Sequence, residues 1–193
     1  MKLIIVRHGE TEENIKRMLV GHMHGHLSTK GKHQAKEVGL ILQDYDIDRI
    51  YSSDLKRAVD TTNAIAKHHK KVPITYSRAL REQNYGIFQG KSLHEMLTDP
   101  DYLRLRGNFR PTGGESLNQL RARVHKFIKN LAKLYPNDVI LISAHAGIAY
   151  SIFSLCSGVP MWDAVKLKAR NTGVMVVEMK RNRLKILKDD MFE

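Results

Sequence analysis

Leu3-Ile4-Ile5-Val6-Arg7-His8-Gly9-Glu10-Thr11 is the stretch that decides how this chain is read. Four consecutive apolar residues make a short run suited to a strand buried on both faces of a parallel sheet. The arginine and histidine then fall just past the strand's carboxyl end, the edge at which open α/β sheets gather ligands. A guanidinium there can hold a phosphoryl group through paired hydrogen bonds, and a neutral imidazole can attack it. Taken alone, the same residues also fit a surface loop with two adjacent basic side chains.

The pattern recurs along the chain. Val139-Ile140-Leu141-Ile142 is a second buried-strand run, and it empties into Ser143-Ala144-His145. Arg49-Ile50-Tyr51 leads through Ser52-Ser53-Asp54-Leu55-Lys56 to Arg57, in the first turn of the next helix, and Pro73-Ile74-Thr75-Tyr76 leads to Leu80-Arg81-Glu82. Strands predicted at about 2–6, 49–51, 73–76 and 138–143 alternate with helical segments, which predicts βαβ units around a parallel sheet. One parallel sheet would bring the two histidines, two arginines and a glutamate to one face.

Local signals predict the helices. Ser28 is placed to cap a helix running to about Gln43, Asp54 to cap one carrying Ala58, Ala64, Ile65 and His68, and Ser116 to start one with Leu117, Leu120, Val124, Phe127 and Leu131 at helical spacing. His68-His69 is read as a helix end, where positive side chains suit the dipole. Val174–Glu178 and Leu184–Leu187 are read as two further strands at a sheet edge, joined by a hairpin turn at Lys180-Arg181-Asn182-Arg183. The stretch from about 83 to 112, broken by Gly86, Gly90, Pro100, Gly107 and Pro111, is long for a crossover and is expected to be a lid.

With 193 residues the chain fits one domain with a substantial core. It has no repeat, no low-complexity tract and no apolar run near membrane-spanning length. The first strand begins by residue 3, leaving no room for a signal peptide, and the single cysteine, Cys156, suits a reducing compartment, so a cytoplasmic location is expected. Cys156 itself is read as helix packing. The net charge of +12 attracts anions. It fits a small phosphorylated substrate; without aromatic residues interleaved among the basic ones, nucleic acid is disfavoured as a partner. No membrane partner is expected, and a homodimer is left open.

Together these blocks resemble the histidine phosphatase superfamily, the phosphoglycerate mutase-like fold, over most of the chain. The resemblance rests on Arg7-His8-Gly9-Glu10-Thr11 with Asn14, Gly21, Leu27-Ser28-Thr29-Lys30-Gly31 with Gln34-Ala35, and Tyr51 through Ala58 with Thr61. It continues through Leu80-Arg81-Glu82 with Tyr85-Gly86 and Gln89-Gly90, Gly113-Gly114-Glu115-Ser116, and the His145 segment. It implies a three-layer α/β/α sandwich with a mostly parallel sheet, spanning 1–193, and a small cap at roughly 83–112. Two departures are visible: His24 and His26 stand where the family often has aspartate and proline, and Ala146 separates His145 from the glycine that usually follows it.

The resemblance also implies roles. His8 is the nucleophile that passes through a phosphohistidine, its tautomer fixed by a main-chain carbonyl such as that of Gly9. Arg7, Asn14, Arg57 and His145 bind the phosphoryl oxygens, Glu82 is the proton donor, and Gly21, His22 and the Ala146 backbone N–H border the substrate. With two arginines present, neither a metal nor another cofactor is required. Glu10 and Glu115 are read as anchors. The run His22, His24, His26 is read as a flexible rim loop, since no cysteine or carboxylate lies at ligand spacing beside it. The expected activity is that of a metal-independent phosphomonoesterase on small phosphorylated metabolites. Cofactor-dependent phosphoglycerate mutase is the alternative, and a non-catalytic phospholigand- or nucleic-acid-binding protein a more distant one.

Overall fold

In the computed structural model, which describes residues 1–193, strand β1 (Lys2–Arg7) runs through the middle of a six-stranded sheet. The other strands are β2 (Arg49–Ser52), β3 (Ile74–Tyr76), β4 (Val139–Ala144), β5 (Val174–Lys180) and β6 (Arg183–Asp189), in the order β3-β2-β4-β1-β5-β6. The pairs β3–β2, β2–β4 and β4–β1 are parallel, whereas β5 runs antiparallel to both β1 and β6. The helices are α1 (Glu12–Ile15), α2 (Thr29–Leu42), α3 (Lys56–Ala66), α4 (Leu93–Leu97), α5 (Pro100–Leu105), α6 (Leu117–Leu134), α7 (Ala146–Ser157) and α8 (Met161–Ala164).

Strand alternation divides the core in two. Leu3 and Ile5 of β1 join Leu120, Val124 and Ile128 of α6 and Ile148 and Ile152 of α7 on one face. Ile4 and Val6 face the other way, onto Val38 and Leu42 of α2 and Ile65 of α3. The result is a three-layer sandwich with a mostly parallel sheet, and burial on both faces explains why β1 and β4 are written as unbroken apolar runs. A third cluster, Leu19, Phe88, Met96 and Phe109, lies beneath the segment between β3 and α6. No helix is long and apolar enough to cross a membrane.

Ser28 and Ser116 cap α2 and α6, the latter in a reciprocal capping box with Gln119. The turn between β5 and β6 places Arg181 (φ 47°) and Asn182 (φ 62°) in the left-handed region, as a tight hairpin requires. Two expectations are corrected. Asp54 does not cap α3, whose N-cap is Leu55; its carboxyl instead takes a paired bond from Arg81, Nε at 2.7 Å and Nη2 at 2.6 Å. A two-pronged ionic bond outweighs a single capping bond, and its partner lies 27 residues away, where local patterning does not reach. His68 and His69 lie beyond the end of α3, and His69 is buried, its Nε2–H donating to the Leu42 carbonyl at the end of α2 (3.1 Å). It closes a neighbour's helix rather than its own.

The loop after β1 is fastened to the start of α2. Ser28 donates its N–H to the Glu10 carbonyl (2.9 Å) and its hydroxyl to the Glu10 carboxyl (2.9 Å), while Glu10 N–H donates to Gln34 Oε1 (2.9 Å). The contact is so close that a methyl group on Gly31 would overlap the Glu10 carbonyl. Helix propensity alone would make Gly31→Ala stabilising by about 1 kcal/mol. Steric overlap reverses the sign: urea unfolding should show a loss of about 1–3 kcal/mol. An unchanged or raised midpoint would contradict the close docking of this loop.

Candidate active site

Because β1 and β4 pair in parallel with Arg7 opposite Ala144, the next residue of each strand is a histidine at the same sheet edge. The His8 and His145 rings lie with centroids 5.2 Å apart, and both side chains are buried. Arg57 arrives from the first turn of α3, one strand further along, and Glu82 follows the turn after β3. The four strand ends therefore meet, as parallel-sheet topology requires.

The hydrogen bonds of His8 define its tautomer. Nδ1 lies 2.7 Å from the Gly9 carbonyl, an obligatory acceptor, so Nδ1 carries the proton and Nε2 keeps its lone pair. Arg57 Nε–H lies 3.3 Å from that Nε2. Burial first, then the charges of Arg57 and Arg7, hold His8 well below the ordinary imidazole value of 6.5. It is a neutral ring whose Nε2 is unprotonated, its lone pair accepting from Arg57 Nε–H.

His145 is assigned by the same accounting. Ser53 Oγ accepts the Leu55 N–H (3.3 Å) and lies 2.8 Å from His145 Nε2, which is the one acceptor its own hydroxyl proton reaches. Ser53 therefore donates to Nε2, which leaves the proton of the neutral ring on Nδ1. That Nδ1 and the Nε of Arg7 are buried without a hydrogen-bond partner in the protein. Burial, again with the arginines and His8 behind it, keeps His145 neutral too.

Arg57 is held by main-chain carbonyls, Nη1 donating to Met23 (2.7 Å) and His24 (3.1 Å) and Nη2 to Gly21 (2.9 Å). Burial lowers its pKa to about 10, which leaves it charged at neutral pH. Arg7 donates to the Ala169 carbonyl. Glu82 Oε1 accepts from Gln83 N–H (2.9 Å) and from Gly147 N–H (3.0 Å) in the first turn of α7; a side chain on Gly147 would displace it. Arg123 fixes the same turn from behind, donating to the carbonyls of Ala79 and Arg81 and pairing with Glu115 at 2.6 Å.

A cavity of about 900 Å³ opens above these groups, reaching Arg7, His8, Asn14, Gly21, Arg57, Glu82 and Ala146. His145 lies wholly buried beside His8 rather than on the cavity wall. His22 is turned away, its Nε2–H donating to the Glu82 carbonyl (3.0 Å) and its N–H to Gln89 Oε1 (2.6 Å). His24 and His26 are exposed, and no three His, Cys, Asp or Glu side chains gather as a metal-binding group.

Asn171 and Ser53 escape a reading of the sequence. Asn171 Nδ2 donates to the His8 carbonyl (3.0 Å) and to Asn14 Oδ1 (3.3 Å). It lies just before β5, and only the antiparallel placement of β5 against β1 shows that this loop abuts His8. The Asn-Thr-Gly turn marks the spot as a loop and nothing more. Ser53 lies 92 residues from its histidine, and adjacency of β2 to β4 would have been needed to find it.

Residues 3–189 match the model of the histidine phosphatase superfamily, branch 1, and the chain belongs to that family. It is 32% identical over 159 residues to phosphoglycerate mutase-like protein 4 of Arabidopsis thaliana, covering 79% of this chain and 69% of that one. It is 28% identical over 188 residues to a probable phosphoglycerate mutase of Salmonella choleraesuis, covering 95% and 87%. The fold superposes on the α-ribazole phosphatase of Shigella flexneri with a TM-score of 0.87 at 22% identity, over 98% of this chain and 96% of that one.

Neutral buried histidines make stability depend on pH. Below the ordinary value of 6.5 the unfolded chain binds protons that native His8 and His145 refuse. Stability is therefore full above about pH 6.5 and falls below it, by up to about 1.4 kcal/mol per pH unit for each histidine. Urea unfolding at pH 7.5, 6.5 and 5.5 should show this slope, and His145→Asn should flatten it. An equal slope in the variant would contradict a neutral His145.

Proposed function

We propose that the protein is a phosphomonoesterase working through a phosphohistidine, with its positive charge supplied by Arg7 and Arg57 rather than by a metal. The observation that carries this is the neutral His8 ring, its unprotonated Nε2 beside Arg57 and near the half-buried Arg7 at the floor of a cavity. In the first step His8 Nε2 forms a bond to phosphorus, the bond from phosphorus to the ester oxygen breaks, and Glu82 gives that oxygen a proton. In the second, water attacks phosphorus, Glu82 takes its proton, and the electron pair of the P–N bond returns to Nε2. Arg7, Arg57, the Asn14 amide and His145 Nδ1–H stabilise the equatorial oxygens, which is most of what phosphoryl transfer asks of a protein.

A mutase reading follows from the names of the curated relatives. A mutase has to keep water from its phosphoenzyme until a bisphosphorylated intermediate re-docks. Here Leu93, Leu97 and Leu103, which line the cavity, are 43%, 40% and 62% exposed, so the cavity is open to water at that wall. The segment over the site acts as a partial cap. With 3-phosphoglycerate and catalytic 2,3-bisphosphoglycerate, phosphate release should outrun isomerisation; the reverse would favour the mutase.

His8→Ala should lower phosphate release by several orders of magnitude, as removing a nucleophile does. Glu82→Gln should slow alkyl esters about 10²–10⁴-fold and an activated aryl phosphate less, because the aryl leaving group needs less protonation. Near-normal turnover by His8→Ala would sink the mechanism, and equal losses on both esters would make Glu82 a positioning group.

A further inference from the structure

The cavity above His8 is far larger than a phosphoryl group needs. At about 900 Å³ it lies near the top of the range for small-molecule sites, about 300–1,000 Å³. Fifteen of its 27 lining residues are hydrophobic. Past the floor, formed by Arg7, His8, Asn14, Arg57, Glu82 and Gln83, the walls are built from Leu93, Leu97, Tyr102, Leu103, Phe109 and Trp162.

What the walls lack is as informative. No serine, threonine or aspartate lines them, and the only amide side chains, Asn14 and Gln83, belong to the floor. The Gln83 amide is already bonded to the Glu115 carbonyl (2.9 Å) and the Tyr150 hydroxyl to the Leu167 carbonyl (2.8 Å). The remaining polar wall groups are the hydroxyls of Tyr85 and Tyr102 and the indole N–H of Trp162, each at the tip of a large apolar ring, and the cations Arg17, Arg106, Lys166 and Lys168, of which the two lysines are paired with Asp163 and Glu193. A polyol placed here would exchange water mainly for apolar surface and leave most of its hydroxyls unbonded, at a cost in affinity. An apolar body would instead cover leucines that water now touches.

We infer that the substrate class is the phosphomonoester of a bulky, largely apolar alcohol, aliphatic or aromatic, and not a phosphorylated polyol. This rests on the phosphatase reading above, and names what that site accepts. Arg17 and Arg106, exposed, without ion pairs and on the cavity lining, draw the anionic ester toward the opening.

The test is a series of n-alkyl phosphates, ethyl, butyl, hexyl and octyl, whose leaving alcohols differ little in acidity, so that the series reads wall contact rather than chemistry. kcat/KM should rise about 3-fold per buried methylene, and more than about 10²-fold from ethyl to octyl. Glycerol phosphate should be no better than ethyl phosphate. The matching alkylphosphonates, which cannot be hydrolysed, should show the same trend in Kd by calorimetry. In Leu97→Ser/Leu103→Ser, two exposed positions outside the buried core, the octyl-to-ethyl ratio should fall at least about 10-fold. Equal kcat/KM for ethyl and octyl phosphate, or a slope unmoved in the double variant, would overturn the inference while leaving the phosphatase reading standing. Phosphonates that bind with the expected slope while no ester is hydrolysed would uphold the apolar site and remove the phosphatase reading.

Discussion

Two guanidinium groups, Arg57 buried and Arg7 half-buried, stand around the ring of His8, and the rest of the site is arranged to make that tolerable. Like charges and desolvation both act against protonation of the ring, so it stays neutral where an exposed histidine would begin to charge. The same burial would be ruinous for the arginines if their N–H groups were left bare. Arg57 escapes this by donating to three main-chain carbonyls of the 21–24 loop, which fixes that loop and the guanidinium together. One constraint thus sets both the reactivity of the histidine and the shape of the cavity's edge.

The satisfaction is incomplete in an informative place. Arg7 Nε and His145 Nδ1 are buried donors with no acceptor in the protein, and each such group costs about 1–3 kcal/mol. A phosphoryl oxygen is an acceptor of the right charge for both. Stability given up at such a site is returned when an anion binds, and the site is held ready by rigid parts: two paired strands, the start of α7, and Gly147, whose missing side chain lets the Glu82 carboxyl rest on a helix N–H.

Much of this was written locally in the chain. The apolar runs 3–6 and 139–142 announced two-faced burial, and a histidine after each announced a shared edge, because parallel pairing aligns strand ends. Arg57 and Glu82 are legible in the same way, each a short distance past a strand end. Long-range partnerships could not be read so. Asp54 has the residue type of a helix cap but is claimed by Arg81, His69 closes a helix 27 residues upstream, and Asn171 and Ser53 matter only once the strand order is known. The apolar walls of the cavity were equally hidden, since short cap helices with leucines at their exposed positions have no periodicity that distinguishes a substrate wall from an ordinary surface.

The central claim is that His8 attacks through Nε2, the nitrogen left unprotonated when Nδ1–H is tied to the Gly9 carbonyl. Rapid quenching during turnover of an alkyl phosphate, under alkaline conditions that preserve phosphoramidates, followed by peptide mapping and ³¹P NMR, identifies both the residue and the nitrogen. The account predicts phosphate on Nε2 of His8. Phosphate on Nδ1, on another side chain, or no covalent species during sustained turnover would contradict it.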